Sequence, residues 1–236
     1  MRVTMAIARR ELAAYFNSPV AYIVVTAFLL MSGYLFFTEL FLSKQAELRS
    51  FFGLAPTLFL FLAPAVTMRL LAEERGTGTI ELLITMPVRD WDVVLGKFWA
   101  AWGLLSTAVA LTLAYPLTVS LFGAPDRGPI IAGYFGLLLL GGAYLSVGVA
   151  ASAFTKNQII ASIVSFAILF ALFLVGKLVP VVPPSIGPLF DFLSIDGHFQ
   201  NLERGVIDTR DVIYYLSIIG VSLLIATQSL ESRKWR

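Results

Sequence analysis

"QIIASIVSFAILFALFLVGKLV", residues 158–179, carries a single charge, Lys177, close to its end. About 20 consecutive apolar residues form a helix long enough to cross the hydrocarbon core of a bilayer. A membrane β-barrel would show short alternating segments instead. In hydrocarbon a helix satisfies its own backbone hydrogen bonds, so this stretch reads as a transmembrane helix. Outward from it, five more runs have the same character, at about 20–42, 51–71, 93–122, 129–154 and 212–230. Composition agrees. The 236-residue chain is 58% hydrophobic and 14% charged, against roughly 25% charged in a soluble domain. Its mean hydropathy is +0.84. A soluble domain with an all-buried helical core is the competing reading. It fails because six spanning-length runs leave too little polar surface to wrap them. The expected fold is an all-α integral membrane protein with six transmembrane helices, one domain over 1–236.

Six spans put both termini on one side. If that side is the cytoplasm, eleven Lys and Arg lie inside and six outside, as the positive-inside rule requires. No cleavable signal peptide is evident in the first residues, because the first apolar run begins only after Pro19 and is too long for a signal core. No cysteine is present, which excludes disulfides and thiolate metal sites. The Lys and Arg are dispersed and the net charge is only +2, which gives no nucleic-acid patch.

Residues 1–19 predict an interfacial helix. Met5, Ala8, Leu12 and Tyr15 share a face, with Arg10 opposite and Arg2 and Arg9 on the flank. An ordinary cytosolic helix end is the alternative. Glu39 lies near the outer end of span one, where it reaches water. Span three exceeds the bilayer thickness, so it is expected to start in the cytoplasm and tilt. Asp90 is its expected N-cap, Trp91 and Trp99 belong at the inner interface, and Lys97 is expected to snorkel to the headgroups. Gly96, Ala100, Gly103 and Thr107 make a strip of small residues there. Span four carries a cleaner helix-packing strip, Gly142, Ser146 and Ala150. It suits close contact with another span or with a second subunit. Residues 180–209 are external. Pro180, Pro183, Pro184 and Pro188 prevent one continuous helix, and Leu189, Phe190, Phe192 and Leu193 favour the interface. One or two short helices are expected, one capped by Asp196 and ended by Gly205, with Asp208 or Thr209 capping span six.

Catalytic constellations are missing. His198 is the only histidine, and with Asp191 and Asp196 it makes a weak metal set. No nucleophile–base motif occurs. The fragment "LGKF", 95–98, lacks the rest of a P-loop. Spans two to five hold almost no charge, which argues against ion-coupled transport and for a lipid-like or bulky substrate, or for an energy source elsewhere.

One polar stretch breaks the apolar pattern: "AEERGTGTIELLITMPVRDWD", residues 72–92. "EERGTGTIELLITMPV" followed by "DVVLGKF" resembles the region between the second and third spans of ABC-2 type transporter permeases. "RRELAAYFNSPVAY", "SAFTKNQIIAS" and "HFQNLERGVIDTRDVIYYLS" look like the gliding-motility permease branch. The resemblance covers essentially the whole chain. It implies a six-span permease subunit in a bacterial inner membrane that pairs with a second permease copy or a related permease. Cytoplasmic ABC ATP-binding subunits would bind ATP and Mg, leaving this chain without cofactor or catalytic residue. The branch implies an accessory membrane protein with a large extracytoplasmic domain.

By the same resemblance the stretch after span two holds a coupling helix at about 78–86. Glu73, Glu74 and Arg75 lead into it, and Gly78, Thr79, Ile80, Glu81, Leu82, Leu83 and Ile84 form its body. The turn Thr155, Lys156 and Asn157 would be a second cytoplasmic contact. The residues fit. Gly78 can start a helix, Glu81 then sits at the positive end of its dipole, and Ile80, Leu83 and Ile84 share a face. A helix lying against the membrane is the alternative. Two functions remain in view. One is an ATP-driven permease, with export the family default. The other is a non-transporting anchor or mechanotransmission element of an ATPase-driven envelope or gliding complex.

Overall fold

The computed structural model describes residues 2–43, 47–79, 88–123, 125–181, 183 and 186–232. Among them only helices occur, and six candidate spans are long and apolar enough to cross a membrane. The elements are α1 (Arg2–Phe16), α2 (Pro19–Ser43), α3 (Arg49–Thr67), α4 (Ala72–Thr77), α5 (Asp90–Leu111), α6 (Ala114–Phe122), α7 (Arg127–Phe154), α8 (Gln158–Leu178), α9 (Gly187–Leu193), α10 (Ile195–Glu203) and α11 (Thr209–Glu231). The spans are α2, α3 with α4, α5 with α6, α7, α8 and α11.

The bundle is organised around α7, which packs on α3, α5, α8, α10 and α11. Its composition explains this. Lipid tails are as apolar as leucine, so helices associate by close packing, and small side chains let backbones approach. A Cβ on Gly148 would collide with Thr67 of α3. Gly142 meets Ile219 of α11 and Trp102 of α5, and Ser146 and Ala150 are buried. The strip predicted on span four therefore faces neighbours within the same chain. At the periphery, α2 and α8 leave most of their apolar surface exposed.

Span three differs from its prediction in three ways. It is broken at Thr112–Leu113 into α5 and α6. The Thr112 hydroxyl donates to Val109 O at 2.6 Å, while Tyr134 of α7 donates its hydroxyl to Thr112 O at 2.8 Å. The N-cap is Arg89, and Asp90 is the first helical residue. Asp90 and Asp92 thus sit in the first turn, where the helix dipole favours carboxylates. Lys97 does not snorkel; it is buried in an ion-pair cluster described below.

Residues 90–122 span about 50 Å at 1.5 Å per residue, well beyond a core of about 30 Å. The surplus at the amino-terminal end of α5 is covered by α1. Thr4 donates to Asp92, Gly96 lies under Ile7, and Gly103 lies under Leu12. The small strip of span three thus receives α1, with Ala8 and Tyr15 buried.

Candidate functional site

The face that carries the chain termini also carries α4 and the 155–157 turn. Residues 68–71 turn the chain out of α3, and Ser152 of α7 pegs that turn. Its hydroxyl accepts from Leu71 N at 3.1 Å and Ala72 N at 3.0 Å, and donates to Met68 O at 3.2 Å. The break between two helices leaves backbone donors that need partners. A serine supplied by the central helix provides one at the start of α4.

Glu74, Arg75 and Gly76 then each meet a different neighbour. Glu74 accepts from Lys97 Nζ at 2.7 Å. Lys97 also lies 3.5 Å from Glu11, and Glu11 pairs with Arg10 at 2.8 Å. The Lys97 side chain is 2% exposed and each carboxylate 18%. This cluster locks α1, α4 and α5 together. Glu11 is held below the usual carboxylate range: burial opposes its charge, but Lys97 and Arg10 outweigh it. The second oxygen of Glu74 has no hydrogen-bond partner among the described residues. Arg75, also buried, donates to Ser229 O and Ser229 Oγ at 3.2 and 3.1 Å, and Ser229 donates to Ala153 O at 3.0 Å. Arg75 thereby ties α4 to the last turns of α11 and α7.

Two glycines shape the exit. A Cβ on Gly76 would stand 2.9 Å from Lys156 O, so α4 and the 155–157 turn touch backbone to backbone. The lead-in to the first proposed contact thus lies beside the second. Asn157 caps α8, accepting from Ile159 N and Ile160 N, and Thr155 Oγ1 accepts from Asn157 N. Gly78 stands between α4 and Thr79, which is itself helical. It closes α4 at φ 76°, a left-handed conformation that glycine adopts without strain. Thr77 and Thr79 join hydroxyls at 2.9 Å beside it. Ile80, Glu81, Leu82, Leu83 and Ile84, the predicted body of the coupling helix, lie outside the described residues. Beneath this exit, Glu11, Tyr15, Arg69, Glu73, Glu74 and Lys97 line a cavity of about 350 Å³. Tyr15 donates to Val66 O at 2.7 Å, and the Arg69 guanidinium lies 4.8 Å from its ring centre.

Sequence reasoning missed Ser152, Ser229, Glu11 and Arg10 as members of this face. Gly148 and Ser152, four residues apart on α7, are a signal that could have found the first. Nothing local marks the others.

At the opposite end, two short helices, α9 and α10, precede the last span. Ser194, not Asp196, caps α10, accepting from Gly197 N at 2.8 Å. Asp196 is instead 2.7 Å from Lys177. Asp208 caps α11 through Arg210 N. Gly205 follows α10 at φ 89°. The conceivable metal set is taken apart by these pairings. His198 Nδ1 is 2.6 Å from Asp211 Oδ1, and Nε2 is 3.1 Å from Phe192 O. Among the described residues no group of three or more His, Cys, Asp or Glu is placed to hold a metal.

Residues 10–195 match the sequence profile of the family described as ABC-2 family transporter protein. The curated proteins include no match.

Proposed function

Because the chain belongs to the ABC-2 family of transporter proteins, and so supplies the multi-pass permease part of an ABC transporter, we propose that ATP hydrolysis in a separate subunit drives it through the face built by α4. In this reading the termini face the cytoplasm of a bacterial inner membrane. The ATP-binding partner, which carries ATP and Mg, docks on residues 78–86 and on the 155–157 turn. A second permease, identical or related, completes the pathway, and the direction is export.

The observation that carries the proposal is the convergence at α4. Within six residues, one short helix is joined to α5 and α1 through Glu74, to α11 through Arg75 and to the 155–157 turn through Gly76. A push delivered to α4 would reach four elements. Buried ion pairs and backbone contacts resist displacement, so the bundle would move rather than the contact yield. The charged walls of the neighbouring cavity supply polar surface for an approaching subunit.

The test is purification of the tagged chain in Mg-ATP with its native partners, followed by reconstitution in vesicles. An ATP-binding subunit should co-purify, and the vesicles should accumulate substrate only with ATP. Glu74→Arg should retain insertion but lose stimulation of the partner's ATPase. If the ATPase binds and cycles but nothing crosses the membrane, the mechanotransmission reading with an envelope partner takes its place.

A further inference from the structure

On the side away from the termini, α8, α10 and α11 enclose a groove of about 1500 Å³ that reaches down to Val147 on α7. Its walls grade in polarity. On α11 the lining runs from Arg210 and Asp211 through Tyr214 to Ile218 and Val221. On α8 it runs from Lys177 down to Leu172 and Ile168. Charge sits at the mouth and apolar side chains at depth on both helices. The eleven steps from Arg210 to Val221 rise about 16 Å. That is close to half of a hydrocarbon core of about 30 Å, the depth of one leaflet. Ile168, Ile213 and Val221 are exposed, so the groove opens sideways.

The mouth carries both signs of charge. Lys177 is neutralised by Asp196. His198 places Nδ1 2.6 Å from Asp211 Oδ1 and Nε2 3.1 Å from the Phe192 carbonyl oxygen. Asn201 donates to the second Asp211 oxygen at 3.0 Å. Two arginines, Arg204 and Arg210, and two acids, Asp191 and Asp208, remain on the rim. A rim that carries both signs does not select an anion. It complements a headgroup that carries both a phosphate and an ammonium.

We propose that this groove is a binding site for a zwitterionic glycerophospholipid of the leaflet away from the termini. One acyl chain would lie along Leu172, Ile218 and Val221. The phosphate would sit at Arg204 and Arg210, and the ammonium at Asp191. Guanidinium groups form strong charge-assisted hydrogen bonds to phosphate oxygens. The site needs only the six-span arrangement and is independent of ATP coupling, so it can fail while the permease reading stands.

The test uses the whole chain in nanodiscs containing a trace of phosphatidylethanolamine with a photoactivatable acyl chain, without ATP. Adducts are located by mass spectrometry. They should concentrate on Leu172, Ile218 and Val221 relative to Leu30 and Met31, exposed residues of α2 that report ordinary lipid contact. Arg204→Gln with Arg210→Gln should lower that ratio roughly tenfold, the loss of about one charge-assisted hydrogen bond. Ile218→Trp, which fills the groove without touching the rim, should abolish the concentration of adducts. Equal labelling of groove and α2 overturns the proposal. So does displacement by phosphatidylglycerol as effective as by unlabelled phosphatidylethanolamine. Adducts replaced by crosslinks to a second copy of the chain overturn it as well.

Discussion

Replacing Lys97 with methionine keeps the length of the side chain and removes its charge. Two carboxylates, Glu74 at 2.7 Å and Glu11 at 3.5 Å, then lose their shared buried cation. At an effective dielectric of about 20, the shorter contact alone carries a gross attraction of about 6 kcal/mol. Desolvation of the partners cancels much of that. The net cost of breaking a buried pair is roughly 3–5 kcal/mol. The lower end applies here, because each carboxylate keeps 18% of its surface and can recover some hydration. For a chain of this size, about 3 kcal/mol lowers the thermal midpoint by roughly 6–12 °C. Thermal unfolding in detergent, followed by tryptophan fluorescence, reads it directly. The second half of the prediction separates charge from packing. Adding Glu74→Gln to Lys97→Met removes one stranded carboxylate and should recover a substantial part of the loss, a coupling of about 1–3 kcal/mol. A midpoint shift under about 3 °C for the single variant, or additive losses in the double variant, would refute the clamp.

Acid should act on the same cluster. Glu11 is held below its ordinary value, so its stabilisation is present above about pH 4 and lost as pH falls through the lowered value. The thermal midpoint of the wild type should drop over that range, and Glu11→Gln should flatten the acid limb of the curve. Gly148→Val drives a side chain into Thr67 and should cost about 1–3 kcal/mol by overpacking, measured by the same melt. Gly76→Val should separate α4 from the 155–157 turn. Insertion should be kept and ATP-dependent transport reduced, and an unchanged transport rate would show that the contact is dispensable.

The six spans were legible because hydrocarbon imposes one rule, a long apolar helix, whatever the tertiary neighbours. Gly205 and Asp208 were legible for a local reason too: helix ends need specific backbone and side-chain chemistry. What sequence could not give was partner choice. Lys97 reads as an interfacial cation from its own neighbourhood. Its burial depends on Glu74, 23 residues upstream, and on Glu11, which α1 brings alongside α5. Asp196 was the expected cap of α10. The cation of Lys177, from the preceding span, drew the aspartate away and left the serine to cap α10. The strip on α7 announced close packing, but only the fold shows that Ile219 and Trp102 are what it meets.

The central claim is that an ATP-binding subunit presses on the segment after Gly78 and on the turn beside Gly76. The natural chain has no cysteine, so Leu83→Cys and Lys156→Cys each introduce a unique crosslinking site. The direct measurement is thiol-directed crosslinking of these two variants in the native complex, with and without Mg-ATP, and Met31→Cys on the exposed face of α2 as control. Both sites should crosslink to the ATP-binding subunit, with a yield that changes on adding nucleotide, while the control does not. Crosslinks from positions 83 and 156 to lipid or to no protein, in a complex that still hydrolyses ATP, would contradict the account.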